Sequence, residues 1–361
     1  MALDVAAIRA QFPLLERTVH GKRLVYLDSA ATAQKPLAVL DAMDRYYRET
    51  NANVHRGVYT IAEEATAAFE AGRARTARFI GATDPHELVL TRNATESINL
   101  VARTWGARNL GEGDVVVITE MEHHANIVPW QMLAAERGIE IRWVPIDGSY
   151  RLDLSDLDAL LDGAKLFSFT AMSNVLGTTN DVPALAAAAR RAGAAVLVDA
   201  CQSIPHEPTD ISTWDVDFVA FSGHKMVGPT GIGGLWGRRE ILEEMPPFLG
   251  GGEMIRDVRK EGFTTNEVPW KFEAGTPAIA EAVGLGAAVE WLEGVGMAEI
   301  AEHERRLTAH ALAALQDRFG DDITIYGPPT AEGRGSAISF LFRDIHAHDI
   351  SQVLDEDAVC V

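Results

Sequence analysis

The chain has 361 residues, 47% of them apolar and 23% charged, and its 32 basic against 52 acidic residues leave a net charge of −20. That length implies two domains, or one large α/β unit with an appendage. The acidity opposes binding to nucleic acid, and no run approaches the roughly eighteen apolar residues of a transmembrane helix.

The N-terminal stretch "MALDVAAIRAQFPLLERTVHG" carries Asp4 and Glu16 and lacks the basic flank and apolar core of a secretory signal, so a cytoplasmic protein is expected. Only Cys201 and Cys360 are present, too few for a disulfide framework and consistent with a reducing compartment. From about residue 86 to 236, short β-branched runs alternate with amphipathic ones. "ELVLT", "VVVIT", "IRWVP", "KLFSF", "AAVLVD", "DFVAFS" and "IGGLW" are the expected strands. "ESINLVARTWGARN" and "VPALAAAARRAG" are expected helices, the second with Gly193 as its C-cap. This alternation predicts an α/β fold with a mostly parallel sheet flanked by helices, whose functional groups belong at the carboxyl ends of the strands. "IRDVRKEG" reads as a solvated loop. After "FEAGTP", two long helical patterns precede the strand candidates "ITIYG" and "AISFLF", the pattern of a smaller α+β C-terminal domain. Residues 1–20 are assigned to a segment associated with that small domain, 21–275 to a large cofactor-binding domain, and 276–361 to the small domain.

Four strand ends carry candidate chemistry. Asp199 ends "VLVD", directly after an apolar run, where a helix cap or turn role is the bland alternative. Lys225 follows "FVAFS" in "SGHKMVGPTGIGG", a glycine-rich stretch without the spacing of a nucleotide-binding loop. Pyridoxal phosphate chemistry uses both groups, the lysine as Schiff-base partner of the aldehyde and the carboxylate to keep the pyridine nitrogen protonated. Thr95 begins a helix in "NATESINL" and could cap it or bind phosphate, with Ser222 and His224 as further donors. His123 and His124 sit in "MEHHAN". Adjacent positions in a turn point apart, and no cysteine is near in sequence, so no metal site is expected.

The strings "LVYLDSAATAQKP", "NVHRGVYT", "NATESINLVA", "MEHHANIVPWQ", "SNVLGT", "DACQS", "SGHKMVGPTGIGGLWG", "PPFLGGGEMI" and "FEAGTP" resemble the group II (SUF-type) cysteine desulfurases of the class V aminotransferase superfamily, over nearly the whole chain from Phe12. The resemblance implies the fold type I of pyridoxal 5'-phosphate-dependent transferases and the conversion of L-cysteine to L-alanine and an enzyme persulfide. That persulfide would pass its sulfur to an acceptor protein of the SUF system for iron–sulfur cluster assembly. It implies Lys225 as the cofactor lysine and α-proton base, which burial and the cofactor must tune towards neutral pH. It implies His123 as the histidine stacked on the ring, Asp199 as partner of the ring nitrogen, and Gln202 as donor to the phenolic oxygen. Ala94, Thr95, Ser222 and His224 match the phosphate cup, and Thr276 the residue reaching the phosphate of the neighbouring subunit, which makes a homodimer the expected assembly. His55 and Asn174 match substrate-side positions, and Arg56 is a candidate interface ion-pair residue.

The family's nucleophilic cysteine lies in an Arg-x-Gly-His-His-Cys-type segment, which these 361 residues do not contain, and the carboxylate-binding arginine is missing as well. The small domain is therefore expected to be incomplete and persulfide formation defective. Cys201, in the cofactor wall, and Cys360, in a strand-like run, read as structural thiols. A selenocysteine lyase, another class V enzyme such as an epimerase or kynureninase, and a noncatalytic relative keeping the cofactor fold are the alternatives. A nucleotide-binding Rossmann protein fits poorly, because no G-x-G-x-x-G follows the first strand.

Overall fold

The structure, a computed structural model, describes residues 3–361. Its centre is a seven-stranded sheet of β1 (Leu88–Thr91), β2 (Val115–Thr119), β3 (Glu140–Val144), β4 (Ala164–Thr170), β5 (Ala195–Asp199), β6 (Phe218–Ser222) and β7 (Gly233–Gly237), in the order β1-β7-β6-β5-β4-β2-β3. Each predicted strand of this region is present within a residue or two at either end. Only β7 runs against its neighbours. The strands are apolar on both faces because both are covered: Val117, Phe167, Val196 and Val198 pack into one layer, and Val116, Ile118, Leu166 and Leu197 into the other.

Helices α1 (Leu37–Arg45), α2 (Thr60–Phe79), α3 (Ala94–Val101), α4 (Val182–Ala192), α5 (Ile279–Val295) and α6 (Met297–Phe319) cover the sheet and extend it. α4 ends at Gly193 in the left-handed conformation expected of its cap. The helix expected over "ESINLVARTWGARN" starts at Ala94 and widens into a π turn over Ala102–Gly106. α5 crosses α2 at close range: a Cβ on Gly72 would stand 2.4 Å from the Ala282 carbonyl oxygen, so glycine is what lets the backbones meet.

The N-terminal segment joins the C-terminal one. Val25–Tyr26 pairs in parallel with Val359–Cys360, and Trp291 Nε1 of α5 donates to Gln11 Oε1 at 2.7 Å. Cys360 therefore lies in a strand, half-buried, as its flanking valines suggest. The pair Ile323–Tyr326 and Ser339–Phe342 forms the two-stranded sheet expected after α6. "IRDVRKEG" is a correction: Ile255–Arg259 and Gly262–Thr265 pair as an exposed antiparallel hairpin and not as a loop. Its charged side chains hide the strand signal, since pairing with a neighbouring strand satisfies a backbone whatever its side chains carry.

Candidate active site

Parallel strands bring their carboxyl ends to one edge, and reversed β7 brings its amino end there too. Asp199 is the register partner of Thr170 in β4 and Ala220 in β6, while Gly233 pairs with Ser222 on one side and Thr91 on the other. Glycine is required at 233: a Cβ would lie 2.5 Å from Phe221 O and 2.8 Å from Asn93 Cα. That approach presses the turn before α3 onto Ser222, whose Oγ accepts from the Ala94 N–H at 2.9 Å. The cap of α3 is Asn93, whose side chain accepts from Glu96 N at 2.9 Å, which leaves Thr95 exposed on the first turn.

Asp199 is buried. Its Oδ1 accepts from Cys201 N at 3.0 Å, and its carbonyl accepts from Ala171 N at 2.9 Å. Cys201 Sγ stands 3.6 Å from Ser222 Oγ, and burial, then the Asp199 charge, pushes its thiol well above the ordinary value. Ser222 Oγ thus accepts from a backbone amide and faces a protonated thiol, so its own hydrogen is left to point outward. Gln202 is buried and donates to Ala30 O at 2.9 Å.

Lys225 closes a 3-10 turn, Gly223–Lys225, and the chain then doubles back so tightly that a Cβ on Gly228 would sit 2.8 Å from Gly223 O. The segment after Tyr26 is stapled over this turn. His224 O accepts from Ala33 N at 3.0 Å and from Lys35 Nζ at 3.0 Å, and His224 Nδ1 lies 3.2 Å from Thr32 Oγ1. Burial lowers the Lys35 pKa to about 8. Thr32 and Lys35 were visible only as parts of "DSAATAQKP"; nothing in that string says which turn it covers.

His123 is exposed, and its Nδ1 accepts from Ala125 N at 3.1 Å. That bond makes Nδ1 the unprotonated nitrogen and leaves the proton of the neutral ring on Nε2. Burial around the ring lowers its pKa, the Asp199 charge opposes that, and Lys225 and His124 reinforce it. The charges of Asp199 and Lys225 thus reach both His123 and Cys201.

The remaining candidates have surroundings of their own. Asn174 lies half-buried in the turn after β4, and Thr276 is exposed beyond the 3-10 turn Trp270–Phe272. His55 is clasped by two carboxylates, Nε2 to Glu70 Oε1 at 2.8 Å and Nδ1 to Glu253 Oε1 at 3.0 Å, and Arg56 meets Glu253 at 3.2 Å. Glu70 passes the network to the fully buried Arg73, whose guanidinium grips Glu273 through both terminal nitrogens at 2.6 and 2.8 Å. Glu273 Oε1 also accepts from Leu90 N at 2.7 Å, tying the "FEAGTP" loop to β1.

The hydrogen bond to Glu70, first, and then the Glu70 charge and Glu253 raise the His55 pKa against burial. The imidazolium therefore stabilises the fold fully below its ordinary value of 6.5, and that contribution is lost as pH rises through the raised value. Replacing His55 by Gln should cost more stability in denaturant melts at about pH 6 than at about pH 9. Equal costs at both would show that the ring is not charged in this network.

The aminotransferase class-V family matches residues 25–361. A probable cysteine desulfurase of Streptomyces coelicolor is 52% identical over 365 residues, covering 99% of this chain and 87% of the relative. The apo cysteine desulfurase of Thermococcus onnurineus NA1 superposes with a TM-score of 0.93 at 37% identity, over 100% of this chain and 87% of that one. The Escherichia coli cysteine desulfurase CsdA, in an S-sulfonic acid form, gives 0.89 at 38% identity, over 100% and 88%. A family match over residues 25–361, superposition at TM-scores of 0.93 and 0.89, and 52% identity over nearly the whole chain leave one conclusion: the chain belongs to the class-V aminotransferase family, among its cysteine desulfurases.

Proposed function

We propose that this protein is a pyridoxal phosphate-dependent cysteine desulfurase of the SUF type, acting on L-cysteine. The observation that carries the reading is the placement of Asp199, Lys225 and His123 along one edge of the sheet, where the Asp199 and Lys225 charges act on His123, beside the Ala94–Ser222 bond. The donor set suits the cofactor: a lysine amine, a buried carboxylate, and a helix N-terminus with an outward hydroxyl for an anion, all in a chain that is otherwise strongly acidic. Bound pyridoxal phosphate supplies an aldehyde for covalent attachment and a ring that accepts electrons from the substrate's α-carbon.

The residues then divide the work. Lys225 attaches the cofactor and moves the α-proton. Asp199, with one oxygen fixed by Cys201 N–H, keeps a proton on the ring nitrogen through the other, and Gln202 donates towards the phenolic oxygen. His123 stacks on the ring and donates through Nε2. Ala94, Thr95, Ser222 and His224 hold the phosphate, with Thr276 arriving from a second copy. Residues 21–275 form the cofactor-binding unit and 276–361 the smaller one, to which 1–20 attach.

The homodimer reading is supported by Tyr47, Val58, Tyr59 and Ile61, which flank His55 and Arg56 in sequence and are large apolar side chains left exposed on a single chain. Asn174 and His55 are placed towards the substrate, a sulfur-acceptor protein of the SUF system as the partner, and the cytoplasm as the compartment. A selenocysteine lyase would use the same cofactor residues, and comparing L-cysteine with L-selenocysteine as substrates separates the two.

Neither thiol suits sulfur transfer. Cys201 is held as a thiol by burial, and Cys360 is engaged in the strand that pairs with Val25–Tyr26. Residues 1–361, loaded with cofactor in D2O with a thiol reductant, should exchange the α-proton of L-cysteine for deuterium yet release no sulfide. Failure to exchange, in protein shown to hold the cofactor, would overturn the site assignment. Sulfide release abolished by Cys201→Ser or Cys360→Ser would overturn the reading of the thiols.

A further inference from the structure

Glu122 is a buried carboxyl, 8% exposed, with no cation paired to it among the described residues. Three donors converge on it instead. Oε1 accepts from the Thr119 hydroxyl at 2.5 Å and the Thr170 N–H at 2.9 Å, and Oε2 accepts from Asn126 Nδ2 at 2.6 Å. Asn126 cannot turn its amide round. Its Oδ1 accepts from Trp130 Nε1 at 3.0 Å, a nitrogen that can only donate, and from Ser168 Oγ at 2.6 Å.

These partners span the neighbouring strand ends between His123 and Asp199. Thr119 ends β2, and Thr170 ends β4 as the register partner of Asp199. Asn126 N bonds back to His123 O at 2.8 Å, closing the turn that presents the imidazole. One buried side chain therefore fixes the distance between the His123 turn and the strand that neighbours Asp199. Burial raises the Glu122 pKa to about 8 while the three donors oppose that shift.

We propose that Glu122 is a positioning residue for the reaction, holding the His123 turn in register with the Asp199 strand end through Asn126 and Thr170. This rests on the reading of His123 as the group set against the cofactor ring.

The arrangement of donors gives a test by exchange of partners. In Glu122→Gln the new amide group must face either Asn126 Nδ2 or the Thr170 N–H, so two donors collide in either orientation. Adding Asn126→Asp restores complementarity: the glutamine nitrogen donates to one aspartate oxygen, and Trp130 and Ser168 donate to the other. The first readout is the ¹⁵N shift of His123 Nδ1 in cofactor-free protein, which reports its bond from Ala125 N–H. The second is the α-proton exchange rate for L-cysteine in loaded protein.

Glu122→Gln should move the shift and lower the maximal exchange rate on the order of a hundredfold, with little change in half-saturating cysteine. Glu122→Gln/Asn126→Asp should bring both back close to wild type, although the carboxyl group now sits on residue 126. A single variant that keeps the wild-type shift and rate, or a double variant that regains neither, overturns the proposal. Shift changes that follow this pattern in a wild-type background that binds no cofactor would support the positioning and count against the reading of the site.

Discussion

Lys225→Ala should abolish covalent retention of pyridoxal phosphate. After borohydride reduction and proteolysis of the wild-type protein, the cofactor's mass should be found on the peptide containing Lys225, and on none in the variant. The expectation follows from geometry: Lys225 ends a turn that begins at Ser222 and is locked by the close approach of Gly228 to Gly223, which puts it just past the end of β6, the strand that neighbours the Asp199 strand. A rival lies close by. Lys35 is half-buried, its pKa is drawn down to about 8, and a neutral amine is what condenses with an aldehyde. Its nitrogen, however, is committed to two carbonyl oxygens, those of Ala33 and His224, and so acts as a staple over the Lys225 turn. Cofactor mapped to Lys35 in the wild type, or retained covalently in Lys225→Ala, would defeat the assignment.

In Asp199→Asn the cofactor should still bind, while α-proton exchange should fall by about a hundredfold or more, several kcal/mol of transition-state stabilisation. The substitution is nearly isosteric. An asparagine oxygen can keep the 3.0 Å bond from Cys201 N, and the backbone stays pinned by Ala171 N. What changes is the second atom, which becomes an N–H₂ donor that cannot hold a proton on a ring nitrogen. The loss therefore isolates charge from shape. Exchange near the wild-type rate, with cofactor occupancy confirmed by absorbance, would mean that Asp199 does not manage the ring nitrogen.

Much of this was legible in the amino-acid order. Six of the seven central strands announce themselves because they are buried on both faces and so almost wholly apolar, while the edge strand β3, with Glu140 and Arg142, is partly exposed; α4 announces its end because Gly193 adopts a left-handed conformation at no steric cost. Asp199 and Lys225 stand out because a charge placed directly after an apolar strand emerges at the sheet's edge. These signals are local, carried by a residue and its near neighbours in sequence.

What required the folded chain is everything carried by partners far apart in sequence. The reversal of β7 is invisible in "IGGLW", yet it sets Gly233 between Thr91 and Ser222 and so builds the Ala94–Ser222 contact. His55 gave no hint that Glu253, far along the chain, would clasp it, nor did the charges of 255–262 suggest a hairpin. In the sequence Glu122 is only the acid before two histidines; it is Thr170, Asn126 and Trp130, brought together by the fold, that fix its surroundings. Local sequence decides conformations through sterics and burial within a turn or a strand, whereas hydrogen-bond partners and the pKa values they set depend on which surfaces the whole sheet brings within about 3 Å.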